Sequence, residues 1–152
     1  MAGGIFLIQH DETLIEMVET PYDSEKVLQA IIARYPAILA GDREGTATSR
    51  RWLLISRELA VPDEEGGPVR WAIDHLFVDQ DAVPTLVEVK RSRDTRIRRE
   101  VVGQMLDYAA NGVVYWPSET LRARFENRCE AEHRLPAEVL KESLQIEIEP
   151  DA

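Results

Sequence analysis

Apolar residues recur along this chain with two different periods, and the switches between them outline its elements. Ile5 to Ile8 and Thr13 to Val18 are β-prone runs around Gln9-His10-Asp11-Glu12, the pattern of a hairpin. From Ser24 to Tyr35 the period becomes helical, with Val27, Leu28, Ile31 and Ile32 on one face. Thr20-Pro21-Tyr22-Asp23-Ser24 supplies turn residues and an N-cap before this helix, and Pro36 ends it. Residues 41–49 read as a loop. Three strands are then predicted, Arg51–Ala60, Val69–Val78 and Thr85–Lys90, separated by turns rich in Gly, Pro and Asp.

A helix is predicted over Thr95–Ala110, its seam formed by Ile97, Val101, Gln104 and Tyr108, with Asn111-Gly112 as the C-cap. Val113–Trp116 reads as a fourth strand. Pro117 and Ser118 open a helix carrying Leu121, Phe125 and Cys129 on one side. Leu135-Pro136 breaks it, Ala137–Leu144 adds a short helix, and the tail alternates like an edge strand or frays. Short turns join the first three strands of the core, so they form an antiparallel meander. The fourth arrives through a helical crossover and pairs in parallel. The expectation is one α/β domain with a mixed sheet flanked by helices. Its parts are a hairpin (4–20), a core (24–132) and a C-terminal extension (133–152).

Within those strands three charged residues break the apolar pattern. The period of two places Asp74 on a face with Ala72 and Leu76, opposite Trp71, Ile73, His75 and Phe77. Glu88 and Lys90 share a face with Leu86, while Val87 and Val89 point the other way. Charged side chains are rarely buried unless they are paired or bind a metal. Two acids and a lysine at the wettable ends of apolar strands are the pattern of a metal site built on a sheet. The plainer alternative is a partly solvated acid–base cluster. His75 reads as a core or surface histidine, Cys129 as a small buried residue, and Asp79 and Asp81 as turn formers.

Charge refines this picture. The net charge of −10 argues against a free-standing nucleic-acid binder. Its distribution is uneven: residues 1–25 carry six acids and no Lys or Arg, whereas residues 90–99 carry six bases and one acid. The basic run directly follows Glu88 and Lys90. A single cysteine excludes a disulfide framework and fits a reducing compartment. The N-terminus lacks the basic region of a signal peptide, and no apolar run is long enough to span a membrane. A cytoplasmic location is expected.

Ile73-Asp74, Glu88-Val89-Lys90 and the helix after them resemble the PD-(D/E)XK nuclease superfamily, whose restriction-endonuclease-like core has this αβββαβ order. Gln104 and Tyr108 match the Q-x-x-x-Y motif of its RecB-like branch, and Glu25 is placed like that branch's N-terminal helix glutamate. The resemblance covers residues 24–132. It departs from the pattern in having Ile, not Pro, before Asp74.

The resemblance implies a Mg²⁺- or Mn²⁺-dependent hydrolase of DNA phosphodiester bonds. Asp74, Glu88 and the Val89 backbone carbonyl would hold the cation, which takes hard oxygen ligands. Lys90 would act as base or electrostatic stabiliser. Glu25 would hold the cation's outer shell, and Gln104 and Tyr108 would steady Lys90 or touch DNA. Arg91, Arg93, Arg96, Arg98 and Arg99 would grip phosphates. With so acidic a chain, DNA binding by it alone is expected to be weak, which brings in a protein partner or a homodimer. Two other readings stand beside the nuclease. One is a catalytically inactive nuclease-fold module that binds nucleic acid or protein. The other is a docking role using the hairpin edge.

Overall fold

In a computed structural model, described for residues 4–39, 50–62, 69–90 and 97–146, the chain forms two separate sheets and four α-helices. Strands β1 (Ile5–Ile8) and β2 (Leu14–Met17) pair antiparallel, with Ile5 opposite Met17 and Ile8 opposite Leu14. The Gln9–Thr13 turn closes through the Gln9 amide on the Thr13 carbonyl (3.0 Å), with Glu12 at φ 64°. Every residue of both strands is exposed, including Ile5, Phe6, Leu7 and Ile8.

Helix α1 (Glu25–Arg34) stops at Tyr35, whose amide still reaches the Ile31 carbonyl at 2.8 Å. Pro36 then excludes the helical conformation from the residue before it, and a 3-10 turn follows over Pro36–Leu39. The main sheet contains β3 (Trp52–Pro62), β4 (Val69–Asp79) and β5 (Pro84–Val87) in the order β3-β4-β5, all antiparallel. A bulge at Leu54/Ser56 shifts the β3–β4 register.

The sheet is covered by two hydrophobic clusters. In one, Leu53, Ile55, Leu59, Ile73 and Leu76 pack with residues of three helices: α2 (Ile97–Tyr115), α3 (Ser118–Ala131) and α4 (Pro136–Leu144). Those residues are Tyr108 from α2, Phe125 and Cys129 from α3, and Val139 and Leu144 from α4. In the other cluster, Ile32 of α1 packs with Trp52, Phe77 and Val89. Leu86 joins the first cluster and Val87 the second, as the strand period requires. Burial of this much apolar surface in both clusters is the main force holding the layers together.

The fold is therefore α/β, with the hairpin, the first helix and the three-strand meander in the predicted order, except that the last strand, predicted over Thr85–Lys90, spans Pro84–Val87 and stops short of Glu88. Among the described residues the mixed sheet is not formed. Residues 113–115 continue α2, and among the described residues the main sheet has three antiparallel strands only. Val113, Val114 and Tyr115 favour strands locally, but tertiary context overrides so short a preference. Gly112 is not a C-cap either. Its carbonyl accepts from the Trp116 amide (3.0 Å), and the Trp116 ring lies so close that a Cβ at residue 112 would sit 2.6 Å from Cε3. The helix ends at Tyr115, two residues before Pro117, while Trp116 Nε1 donates to the Ala60 carbonyl at 3.3 Å and ties this end to β3. The predicted 41–49 loop and most of the tail lie outside the described residues. Among the described residues no helix is long and apolar enough to cross a membrane.

Candidate active site

The site forms where β5 parts from β4. The ladder runs from Pro84 opposite Val78 to Val87 opposite His75, and the strand ends there, before Glu88. The next amide cannot be satisfied by the strand. Instead the Val89 N–H donates to Asp74 Oδ2 at 2.7 Å, so a carboxylate replaces a ladder carbonyl. Gln29 Nε2 donates to Asp74 Oδ1, also at 2.7 Å. Asp74 is thus fixed from two sides, by α1 and by the start of the β5 extension. Each of its oxygens retains a lone pair for a further partner.

Glu88 and Lys90 project to the same side, as their spacing predicts, because Val89 between them is buried in the α1-facing cluster. Lys90 Nζ contacts Glu88 Oε1 at 2.8 Å. The Glu88 side chain is only 6% exposed, and its Oε2 is buried with no hydrogen-bond partner among the described residues. The hydrogen bond to Glu88 is the main reason the Lys90 pKa is raised above its usual 10.5. Burial opposes this, and the charges of Glu88, Glu25 and Asp74 add to it. Lys90 is therefore an ammonium at neutral pH.

Tyr108, on α2, is 2% exposed. Its phenol is pushed above the usual 10, first by burial and then by the field of Glu88, with Asp74 contributing and Lys90 opposing. Five predicted residues are thus within electrostatic reach of one another: Glu25, Asp74, Glu88, Lys90 and Tyr108. Gln104 lies half-buried one turn before Tyr108, and among the described residues no hydrogen bond joins it to the acids or Lys90. Arg91, Arg93 and Arg96 lie outside the described residues, as do the side chains of Arg98 and Arg99, whose backbone is in the first turn of α2.

Gln29 is the residue that the sequence reading missed. It follows Glu25 by one helical turn and stands as a polar residue between Leu28 and Ile32. Its backbone carbonyl also accepts from His75 Nε2 at 2.9 Å. His75 is fully buried and stacks on Phe77 with ring centroids 5.7 Å apart, which makes it a core histidine. A carbonyl accepts only, so Nε2 carries the hydrogen and the buried Nδ1 holds the lone pair. Asp79 is a turn former, its Oδ1 accepting from the amides of Asp81 (3.0 Å) and Val83 (2.9 Å).

Among the described residues no three His, Cys, Asp or Glu side chains gather as a metal-ligating group. The chain matches no protein-family model, no curated protein and no solved structure.

Proposed function

We propose that the chain is a metal-dependent DNA nuclease of the PD-(D/E)XK type, resembling the RecB-like branch and hydrolysing phosphodiester bonds. The observation that carries the reading is Glu88, a buried carboxylate with one oxygen on Lys90 and the other bare. Burying an acceptor without a partner is costly, and a hard divalent cation is one partner that removes the cost. Asp74, Glu88 and the Val89 carbonyl fit Mg²⁺ or Mn²⁺ by donor chemistry. Bound there, the ion would polarise a phosphoryl oxygen and neutralise charge developing on it.

The chain's own groups have definable parts. Gln29 and the Val89 amide hold Asp74 in one rotamer, so its remaining lone pairs face a fixed direction. Lys90, protonated at neutral pH, stabilises negative charge and does not take up a proton at rest. Tyr108 is a neutral phenol and therefore a donor. Glu25 adds to the field that keeps Lys90 charged. Arg91, Arg93, Arg96, Arg98 and Arg99 provide the phosphate contacts in this reading. The net charge of −10 leaves DNA binding dependent on a protein partner or a second copy.

The second reading is an inactive nuclease-fold module that binds nucleic acid or protein. It is favoured by Asp74, both of whose oxygens already serve the fold. One experiment separates the two. Supercoiled and single-stranded DNA are incubated at low salt with Mg²⁺ or Mn²⁺ and wild type, Lys90→Ala or Glu88→Gln. Cleavage by wild type that both variants abolish supports the nuclease. No cleavage, and no Mn²⁺-dependent rise in melting temperature, sinks it.

A further inference from the structure

A second concave surface shares no residue with the Asp74–Glu88 site. Between α1, the first half of β3, the end of α3 and α4 lies a half-open cavity of about 650 Å³. Its lining carries four arginines: Arg34 from α1, Arg57 from β3, Arg128 from α3 and Arg134 from the turn after α3. Glu132 is the one acid on that lining. In a chain of net charge −10, this is a local concentration of positive charge.

The arginines are held to different degrees. Arg128 is anchored: Nη1 donates to both Glu132 oxygens (2.9 and 2.8 Å), and Nη2 donates to the Leu54 carbonyl (2.8 Å). That pairing spends the one lining acid on one arginine. Arg134 pairs with Glu142, which is not on the lining. Arg34 lies over the Tyr35 ring at 5.3 Å, and among the described residues neither it nor Arg57 has a carboxylate partner. Two of the lining residues, Arg128 and Trp52, carry buried N–H donors (Nε and Nε1) with no acceptor among the described residues. Their uncompensated dipoles add to the positive potential of the cavity.

We propose that this cavity binds a phosphorylated small molecule of nucleotide size. Planar guanidinium forks match phosphate oxygens in pairs, which lysines do not, and here every lining cation is an arginine. The volume falls within the range of about 300–1,000 Å³ usual for small-molecule pockets and is far larger than one phosphate group needs. The occupant therefore carries an organic body beside its phosphate. With Arg128 paired to Glu132 and Arg134 to Glu142, Arg34 and Arg57 leave two positive charges, which a phosphate ester balances.

The test uses the full chain in EDTA, so that divalent-metal binding at the other site plays no part. AMP, ADP, pyrophosphate and inorganic phosphate are titrated calorimetrically into wild type and into an Arg34→Gln/Arg57→Gln double variant. Among the described residues neither side chain pairs with a carboxylate, and Arg34 touches only the exposed Tyr35 ring, so the double variant should keep the wild-type circular dichroism spectrum. The expected result is saturable binding of AMP or ADP with a Kd below about 1 mM, weakened about tenfold or more in the double variant. Glu88→Gln should bind them as wild type does, which keeps this outcome separate from the fate of the nuclease reading. No saturable heat with any probe overturns the proposal. So does nucleotide binding that the double variant leaves unchanged. Arginine-dependent binding of a short single-stranded oligonucleotide, with the mononucleotides inert, also overturns it and marks a nucleic-acid groove instead.

Discussion

Replacing Lys90 with methionine removes the ammonium but keeps most of the aliphatic stem. Glu88 is then left 6% exposed with neither oxygen engaged by a described side chain. Breaking a buried ion pair from one side costs roughly 3–5 kcal/mol, because the other charge stays buried and unpaired. Lys90 is 31% exposed, so water entering its place should recover about half of that, leaving a loss of about 2 kcal/mol. For a chain of this size that corresponds to a fall in Tm of about 4–8 °C. Adding Glu88→Gln to the same variant should restore most of the loss, since a neutral amide is cheaper to bury than a carboxylate. Urea denaturation at neutral pH of wild type, both single variants and the double gives the coupling directly, expected at about 1–2 kcal/mol. The pH dependence has a fixed sign. The folded Lys90 pKa lies above 10.5, so its contribution is complete below 10.5 and is lost as pH rises through the folded value. Wild type and Lys90→Met should therefore converge in strong alkali. Additive single variants, or a Lys90→Met loss under about 0.5 kcal/mol, would refute the claim that this pair closes a buried site.

Three further outcomes follow from other parts of the fold. His75 has its pKa lowered below 6.5, chiefly by burial, with Arg57 lowering it further and the Gln29 carbonyl, Asp74 and Glu88 opposing. Its contribution to stability is complete above 6.5 and is lost as pH falls towards the folded value; urea midpoints across that window should flatten in His75→Gln. Asp79→Ala orphans the Asp81 and Val83 amides and should cost about 2–3 kcal/mol by the same assay, with Asp79→Asn milder because it keeps an acceptor. The two glycines of α2 should respond with opposite signs. At Gly103 an added Cβ meets no described atom within 4 Å, so Ala should stabilise by about 1 kcal/mol. At Gly112 the same Cβ would lie 2.6 Å from the Trp116 ring, so Ala should lower Tm.

What was legible in the sequence had a period behind it. The predicted alternation put Leu86 and Val87 in different clusters and Glu88 beside Lys90, as found, although the strand itself stops at Val87. The α2 seam likewise put Tyr108 inside. The failures came where a residue's role depended on a distant partner. Val113-Val114-Tyr115 carries strand propensity, yet a tryptophan ring on Gly112 and a proline at 117 decide where that helix ends. Gln29 was overlooked because one polar residue on an amphipathic helix looks like surface until the acid 45 positions away is known to meet it.

The same dependence on partners makes the two acids of the site unequal. Asp74 replaces a ladder carbonyl for the Val89 amide and receives Gln29, so it has structural duties whether or not any ligand binds. Removing it would orphan a buried amide and loosen the contact between α1 and β4, so loss of function in Asp74→Ala would not separate chemistry from folding. Glu88 carries no such duty to the backbone among the described residues. Its one partner is Lys90, itself part of the candidate site, and its other oxygen is bare. A fold under selection for stability alone gains little from burying that carboxylate, since an apolar residue of similar size is often as good or better at such a position. Glu88→Leu in the Lys90→Met background is thus expected to be at least as stable as wild type in urea. If that pair of substitutions is instead destabilising by more than about 1 kcal/mol, the Glu88–Lys90 pair belongs to the fold and the functional reading loses its support.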